Sequence, residues 1–229
     1  MDRFGLISLV AIGTLNMAMA STIKSFTREK STVSPEMAGG MYNTFPYFLA
    51  KAISEIPVEG VYHAIFGGII YPLTGLQKGK FSGFFSLVAM HALVCQAIGL
   101  ILGSISPNTD VAMSLFPPIT VLNIIFDGRN ISIENTPRLL RWVPKVGIVK
   151  WAFQGLAINE FTGLSFSADG PRRGPLIKTG EEALAKFGLA NMSIREVFTA
   201  QRNILGICWL VSYLTLSLTK QKYQKMLSP

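Results

Sequence analysis

Five stretches of this chain contain no Asp, Glu, Lys or Arg: residues 4–23, 60–77, 81–109, 111–126 and 203–219. They are 20, 18, 29, 16 and 17 residues long and make up 100 of the 229 residues. A helix rises about 1.5 Å per residue, so about 20 apolar residues cross the hydrocarbon core of a bilayer. A soluble core can hide one such run, but not five in a chain this short. The expected fold class is an all-α membrane protein with about five transmembrane helices, integral and multi-pass. The helices are placed near 4–23, 46–73, 81–105, 110–127 and 203–219. A polar loop with a short helical piece along the membrane surface is expected over 24–47, and an external segment over 128–202, part of it re-entrant.

Composition narrows the class further. Only 15% of residues are charged, against about 25% in soluble domains, which excludes intrinsic disorder. Cys95 and Cys208 both lie in apolar runs, so a disulfide scaffold is excluded. The net charge of +8 is scattered between apolar blocks. Membrane topology, not nucleic-acid binding, explains it. The short-loop charges place the 24–47 loop (Lys24, Arg28, Lys30) and the tail (Lys220, Lys222, Lys225) on the cytoplasmic side. Two sequons, at Asn130 and Asn191, fall in the external segment. Ala18-Met19-Ala20 also fits a signal-peptide cleavage site, so a cleaved leader competes with a retained first helix.

Proline marks further expectations. Pro57 predicts a kink in the second helix, and Pro117-Pro118 a bend or break in the fourth. Residues 146–166 are apolar and aromatic enough to dip back into the membrane edge. A short helix is expected near 181–187.

Motifs for chemistry are sparse. Gly75-Leu76-Gln77-Lys78-Gly79-Lys80-Phe81 is one residue short of a phosphate loop, and Phe81 replaces the magnesium-holding hydroxyl. The two histidines, His63 and His91, stand on different helices and offer no metal spacing. No catalytic residues are visible, and the chain is not read as an enzyme. Ionisable groups at membrane depth are the remaining signal, because they are costly there. Lys51, Glu55, Glu59 and His63 repeat every four residues and form one stripe on the second helix. Lys51–Glu55 can pair, and Glu59–His63 can share a hydrogen bond; a solvated helix end explains the first two equally well. His91 and Gln96 read as glue between helices, and Gly99-x-x-x-Gly103 as a close helix crossing, within the chain or in a dimer. Asn16, Thr120 and Asn123 are polar positions in apolar surroundings.

Several blocks occur together in a recognisable order. Phe26-x-Arg28-Glu29 is followed by Gly40-x-Tyr42-x-x-x-Pro46-Tyr47-x-x-x-Lys51-x-x-x-Glu55-x-Pro57. Further on stand Phe126-x-Gly128 and Asn159-Glu160-Phe161. Together they resemble the membrane domain of ABC transporters of the G subfamily, the White and pleiotropic-drug-resistance type. The resemblance implies helices two to six of a six-helix domain, with the first helix and the nucleotide-binding domain preceding residue 1. It also favours a retained first helix over a signal peptide. It implies that Arg28 and Glu29 contact an ATPase domain and that Glu55 belongs to a polar relay with Lys51, Glu59 and His63. It puts Asn16, Thr120 and Asn123 on the helices lining the substrate path, and Asn159, Glu160 and Phe161 in the external re-entrant motif. Arg129-Asn130 follow Gly128 where some members carry a leucine plug.

The implied function is the membrane part of an ATP-driven exporter of lipophilic or amphipathic small molecules. Its partners would be a nucleotide-binding domain, a second half-transporter in a homo- or heterodimer, membrane lipids and a small lipophilic substrate, with no nucleic acid. No cofactor is expected in this chain, ATP and Mg being held by the nucleotide-binding domain elsewhere. The alternative is a truncated, non-transporting membrane partner that dimerises with or regulates a full transporter. An ion-coupled carrier using Glu59 and His63 ranks last, since no internal repeat is present. The membrane is a plasma membrane or an organelle envelope.

Overall fold

The computed structural model describes residues 2–127, 146–166, 179–189 and 192–219. Its helices are α1 (Asp2–Ala38), α2 (Thr44–Leu73), α3 (Phe81–Ile105), α4 (Thr109–Ile125), α5 (Ile148–Phe161), α6 (Gly180–Lys186) and α7 (Ile194–Leu218). No strand occurs among the described residues, apart from a single bridge between Ser165 and Thr179. Gly128, Arg129-Asn130, the sequon asparagines Asn130 and Asn191, residues 167–178 and the tail after 219 lie outside the described residues.

Helix α3 is the hub, packing against α1, α2, α5 and α7. It carries no charge along its length, so it can be surrounded without stranding an ion. His91 and Ser104 find partners across helices or locally, whereas the Gln96 amide, expected as glue between helices, is buried with neither atom hydrogen-bonded among the described residues. His91 Nε2 lies 3.1 Å from the Ala11 carbonyl of α1, and Ser104 donates to Leu100 O at 2.7 Å. His91 therefore ties α3 to α1. The two glycines of the small-residue motif face the same neighbour. A Cβ at Gly99 would lie 3.0 Å from Thr22 and 3.1 Å from the Met19 carbonyl, and one at Gly103 2.6 Å from the Phe26 ring. The motif is thus spent inside this chain, on the α1–α3 crossing.

The first helix runs past the expected boundary. Residues 24–38, expected as a loop, continue α1 to Ala38. Residues 24–34 contain neither Gly nor Pro, and one face stays apolar. Phe26, Val33 and Met37 are buried with Phe48, Leu100 and Leu216. Lys24 and Arg28 are exposed, whereas Glu29 and Lys30 are half-buried against neighbouring helices. At 37 residues the helix is about 55 Å long, well beyond a hydrocarbon core. It stops at Gly40, whose φ of +81° suits the turn in which Met41 N–H donates to Glu36 O at 3.1 Å.

Other boundaries shift less. Pro117-Pro118 sit inside an uninterrupted α4, and Pro57 inside an uninterrupted α2. The last helix begins at Ile194, not near 203. Ser193 and Glu196 form a reciprocal capping box there, which fixes the start before the apolar run. The short helix near 181–187 is α6, capped by Thr179.

By length and apolarity, α1 and α3 each suffice to cross a membrane, and α4 is a shorter apolar helix. The outer faces of α2, α4 and α7 are also apolar. Ile53, Val61 and Ile65 on α2, Val121 on α4, and Ile207 and Leu210 on α7 are all exposed. Water would not tolerate such a surface on a monomer, whereas lipid would.

The α1–α3 crossing supplies a test. Gly99→Val should lower thermal stability in detergent by about 1–3 kcal/mol through overpacking against backbone. Gly206→Ala, with nothing within 4 Å of the added carbon, should leave the melting temperature unchanged or raised. Equal tolerance at both positions would contradict the crossing.

Candidate functional site

Polar contacts gather at the two ends of the bundle. At one end, α1 continues as its charged extension. Lys30 Nζ approaches the carbonyls of Gly103, Ser104 and Ser106 at 3.3, 2.5 and 3.1 Å. A cation at the C-terminus of α3 meets orphan carbonyls and the negative end of the helix dipole. The Thr27 and Thr109 hydroxyls are 2.7 Å apart, and Thr219 donates to Ser104 O at 3.3 Å. The 24–38 extension, the α3–α4 turn and the end of α7 therefore share one end.

The same end holds an ion network. Lys51 Nζ lies 2.6 Å from Glu29 Oε2 and 2.7 Å from Glu55 Oε1, and Tyr47 donates to Glu29 Oε1 at 2.8 Å. One ammonium thus bridges two carboxylates and locks α1 to α2. Nearby, Tyr42 donates to Glu36 Oε2 at 2.7 Å. That hydrogen bond, with burial and the carboxylate charges, pushes the Tyr42 phenol up to about 12. Arg28, beside Glu29 in sequence, is exposed. The pair expected to act together is therefore divided: Glu29 braces the bundle while Arg28 faces outward.

The stripe on α2 divides as well. Lys51 and Glu55 join Glu29. One and two turns further on, Glu59 and His63 form a separate buried pair, with His63 Nδ1 3.3 Å from Glu59 Oε2 and 2.8 Å from the Glu59 carbonyl. Among the described residues, no hydrogen bond or ion pair links the two clusters.

At the opposite end, Asn159, Glu160 and Phe161 close the bundle. Glu160 is paired with Arg3 and receives the Gln77 backbone N–H at 3.2 Å, while Gln77 Nε2 donates to Glu160 O at 2.6 Å. Asn159 Nδ2 donates to Lys80 O at 3.2 Å. Phe161 stacks on Phe4, with ring centroids 4.0 Å apart. The motif thus latches the end of α5 onto the start of α1 and the 74–80 turn. Arg3 was visible as a charge, but nothing local tied it to a residue 157 positions away.

The residues expected along a substrate path are less uniform. Asn16 on α1 is half-buried, and Thr120 on α4 is buried with its hydroxyl unpartnered. Asn123 is already occupied. Its Oδ1 accepts from Ile148 N–H at 3.2 Å, capping α5, and its Nδ2 donates to Ile119 O at 3.0 Å. No group of three or more His, Cys, Asp or Glu able to hold a metal occurs among the described residues.

Apolar outer faces, a charge-free central helix and polar contacts collected at both ends define a helical membrane domain. Residues 1–161 match the ABC-2 type transporter family, and the chain belongs to that family. Similar proteins carry the G-family name. ABC transporter G family member 7 of Arabidopsis thaliana is 36% identical over 227 residues, 98% of this chain and 31% of that protein. Protein white of Drosophila melanogaster is 30% identical over 143 residues, 62% of this chain and 21% of that protein. ATP-binding cassette sub-family G member 8 of Homo sapiens is 24% identical over 226 residues, 97% of this chain and 33% of that protein. The chain spans a third or less of the length of these relatives.

The ion network makes a clear prediction. Lys51→Met leaves Glu29 and Glu55 facing each other without a cation, which should cost about 2–4 kcal/mol of stability. Lys51→Met combined with Glu29→Gln should recover part of it in a double-mutant cycle followed by thermal melting. Additive losses would show that Lys51 and Glu29 do not interact.

Proposed function

We propose that this chain is the membrane-spanning part of an ATP-driven exporter of lipophilic or amphipathic small molecules. The observation that carries the reading is the match of residues 1–161 to the ABC-2 type transporter family. The names of the G-family relatives support an ATP-driven partner. In this reading two copies, or this chain and another half-transporter, enclose the substrate path. ATP and Mg are bound by a nucleotide-binding domain outside the residues considered, and the chain itself catalyses no step. Nucleotide binding there shifts the helices between two arrangements that open the path to opposite sides.

The end of the bundle bearing Arg28 is the coupling face, on the cytoplasmic side. Its support is physical. Arg28 is exposed at a helix extension too long to lie in lipid, and Glu29, Lys51 and Tyr47 fix that extension to α2. A force applied at Arg28 is therefore transmitted to two helices at once. Asn16 and Thr120 supply polar positions for the path. Asn123 contributes by holding α5.

The coupling role is tested by reconstituting the chain with a G-family nucleotide-binding domain in lipid vesicles. Arg28→Ala should lower membrane-domain-stimulated ATP hydrolysis by about fivefold or more with unchanged melting temperature. Glu29→Ala should lower both, because it also releases Lys51. Full stimulation in the Arg28 variant would remove this face from coupling.

A further inference from the structure

The Glu59–His63 pair borders space that the chain leaves unfilled. Met17, Ala18 and Ser21 of α1, with Glu59, Tyr62 and His63 of α2, enclose a pocket of about 280 Å³. Tyr62 also lines a neighbouring hollow of about 530 Å³ whose other walls are Pro57, Val58, Val61 and Ile65. A small, mainly apolar chamber with a few polar groups thus adjoins a still more apolar hollow.

Ser21, Glu59 and His63 present acceptors to the first chamber. Ser21 gives its hydrogen to the Ala18 carbonyl at 3.0 Å, which leaves its oxygen lone pairs. His63 Nδ1 faces the Glu59 carbonyl and the Glu59 carboxylate. Both are acceptors, so these partners assign the ring hydrogen to Nδ1 and make Nε2 a bare lone pair. That nitrogen is buried without a hydrogen-bond partner, on a residue only 1% exposed. Glu59 is buried too, and its one ion-pair partner among the described residues is His63. The ammonium nearest along the same helix, Lys51, is held by Glu29 and Glu55. An acidic group at membrane depth without a cation is costly and marks a site. Convergent polar atoms in an otherwise apolar pocket are the usual form of a small-molecule site.

We propose that this pocket binds a lipophilic organic cation. Its ammonium pairs with the Glu59 carboxylate, beside the Tyr62 ring, whose face attracts cations. Its apolar body lies in the adjoining hollow along α2. A neutral alcohol of the same shape satisfies the acceptors but brings no charge to Glu59, so charge is what the pocket selects. The site is built within one chain. It requires α2 to lie in a membrane but does not rest on the transport reading.

The test uses the full chain in lipid nanodiscs, without ATP or any partner. Saturable binding of radiolabelled 4-phenylbutylammonium is compared with that of 4-phenylbutanol, after subtracting empty nanodiscs. The ammonium should bind about tenfold tighter or more than the alcohol. Glu59→Gln should abolish that preference while leaving the alcohol within about twofold. Ser21→Phe, placing a ring in the chamber from an exposed position, should weaken both probes. Should Glu59→Gln fail to fold, the Ser21 variant decides: lost binding supports the site and unchanged binding overturns it. Equal affinity for the two probes, an unaltered preference in Glu59→Gln, or no saturable binding to the wild-type chain each overturns the proposal. None of these outcomes bears on coupling to ATP hydrolysis.

Discussion

The close approach of α3 to α1 is the contact on which the rest of this structure depends. At Gly99 and Gly103 a side chain would run into Thr22, the Met19 carbonyl and the Phe26 ring. In lipid there is no hydrophobic drive between apolar helices, so association rests on close packing and on polar bonds across the interface. The α1–α3 pair has both, the second through His91 and the Ala11 carbonyl. Helices α2, α5 and α7 then assemble around α3, which can be enclosed because it carries no charge.

Ionisable groups are placed with matching economy. Lys30 meets the exposed carbonyls that end α3, Lys51 serves two carboxylates, and Glu160 joins Arg3 to the 74–80 turn. Each of these joins elements distant in sequence at one end of the bundle. The pair that breaks the pattern is Glu59–His63, which lies along α2 between the ends and borders a pocket.

Much of this was legible in the sequence, for stated physical reasons. Charge-free runs located α3 and α4 to within a residue or two, because lipid and core impose the same apolarity. Gly99 and Gly103 announced a close crossing. What hydropathy could not show was that residues 24–38 remain helical. Charge there signals departure from the apolar interior, not departure from the helix, and Phe26, Val33 and Met37 keep one face packed. Long-range partners were equally hidden. Nothing near Asn123 announces that it caps α5, and nothing near Arg3 announces Glu160. The splitting of Arg28 from Glu29 likewise appears only when Lys51 is brought alongside in space.

In the proposed arrangement the bundle crosses a membrane with its two polar ends on opposite sides. Gly39 and Gly79 are exposed, one at each end, and Cys95 is buried. In a Cys208→Ala background, single cysteines at these two positions can be challenged with a membrane-impermeant maleimide on intact cells. Gly79→Cys should label from outside, and Gly39→Cys only after permeabilisation. Labelling of both from the same side would contradict the account.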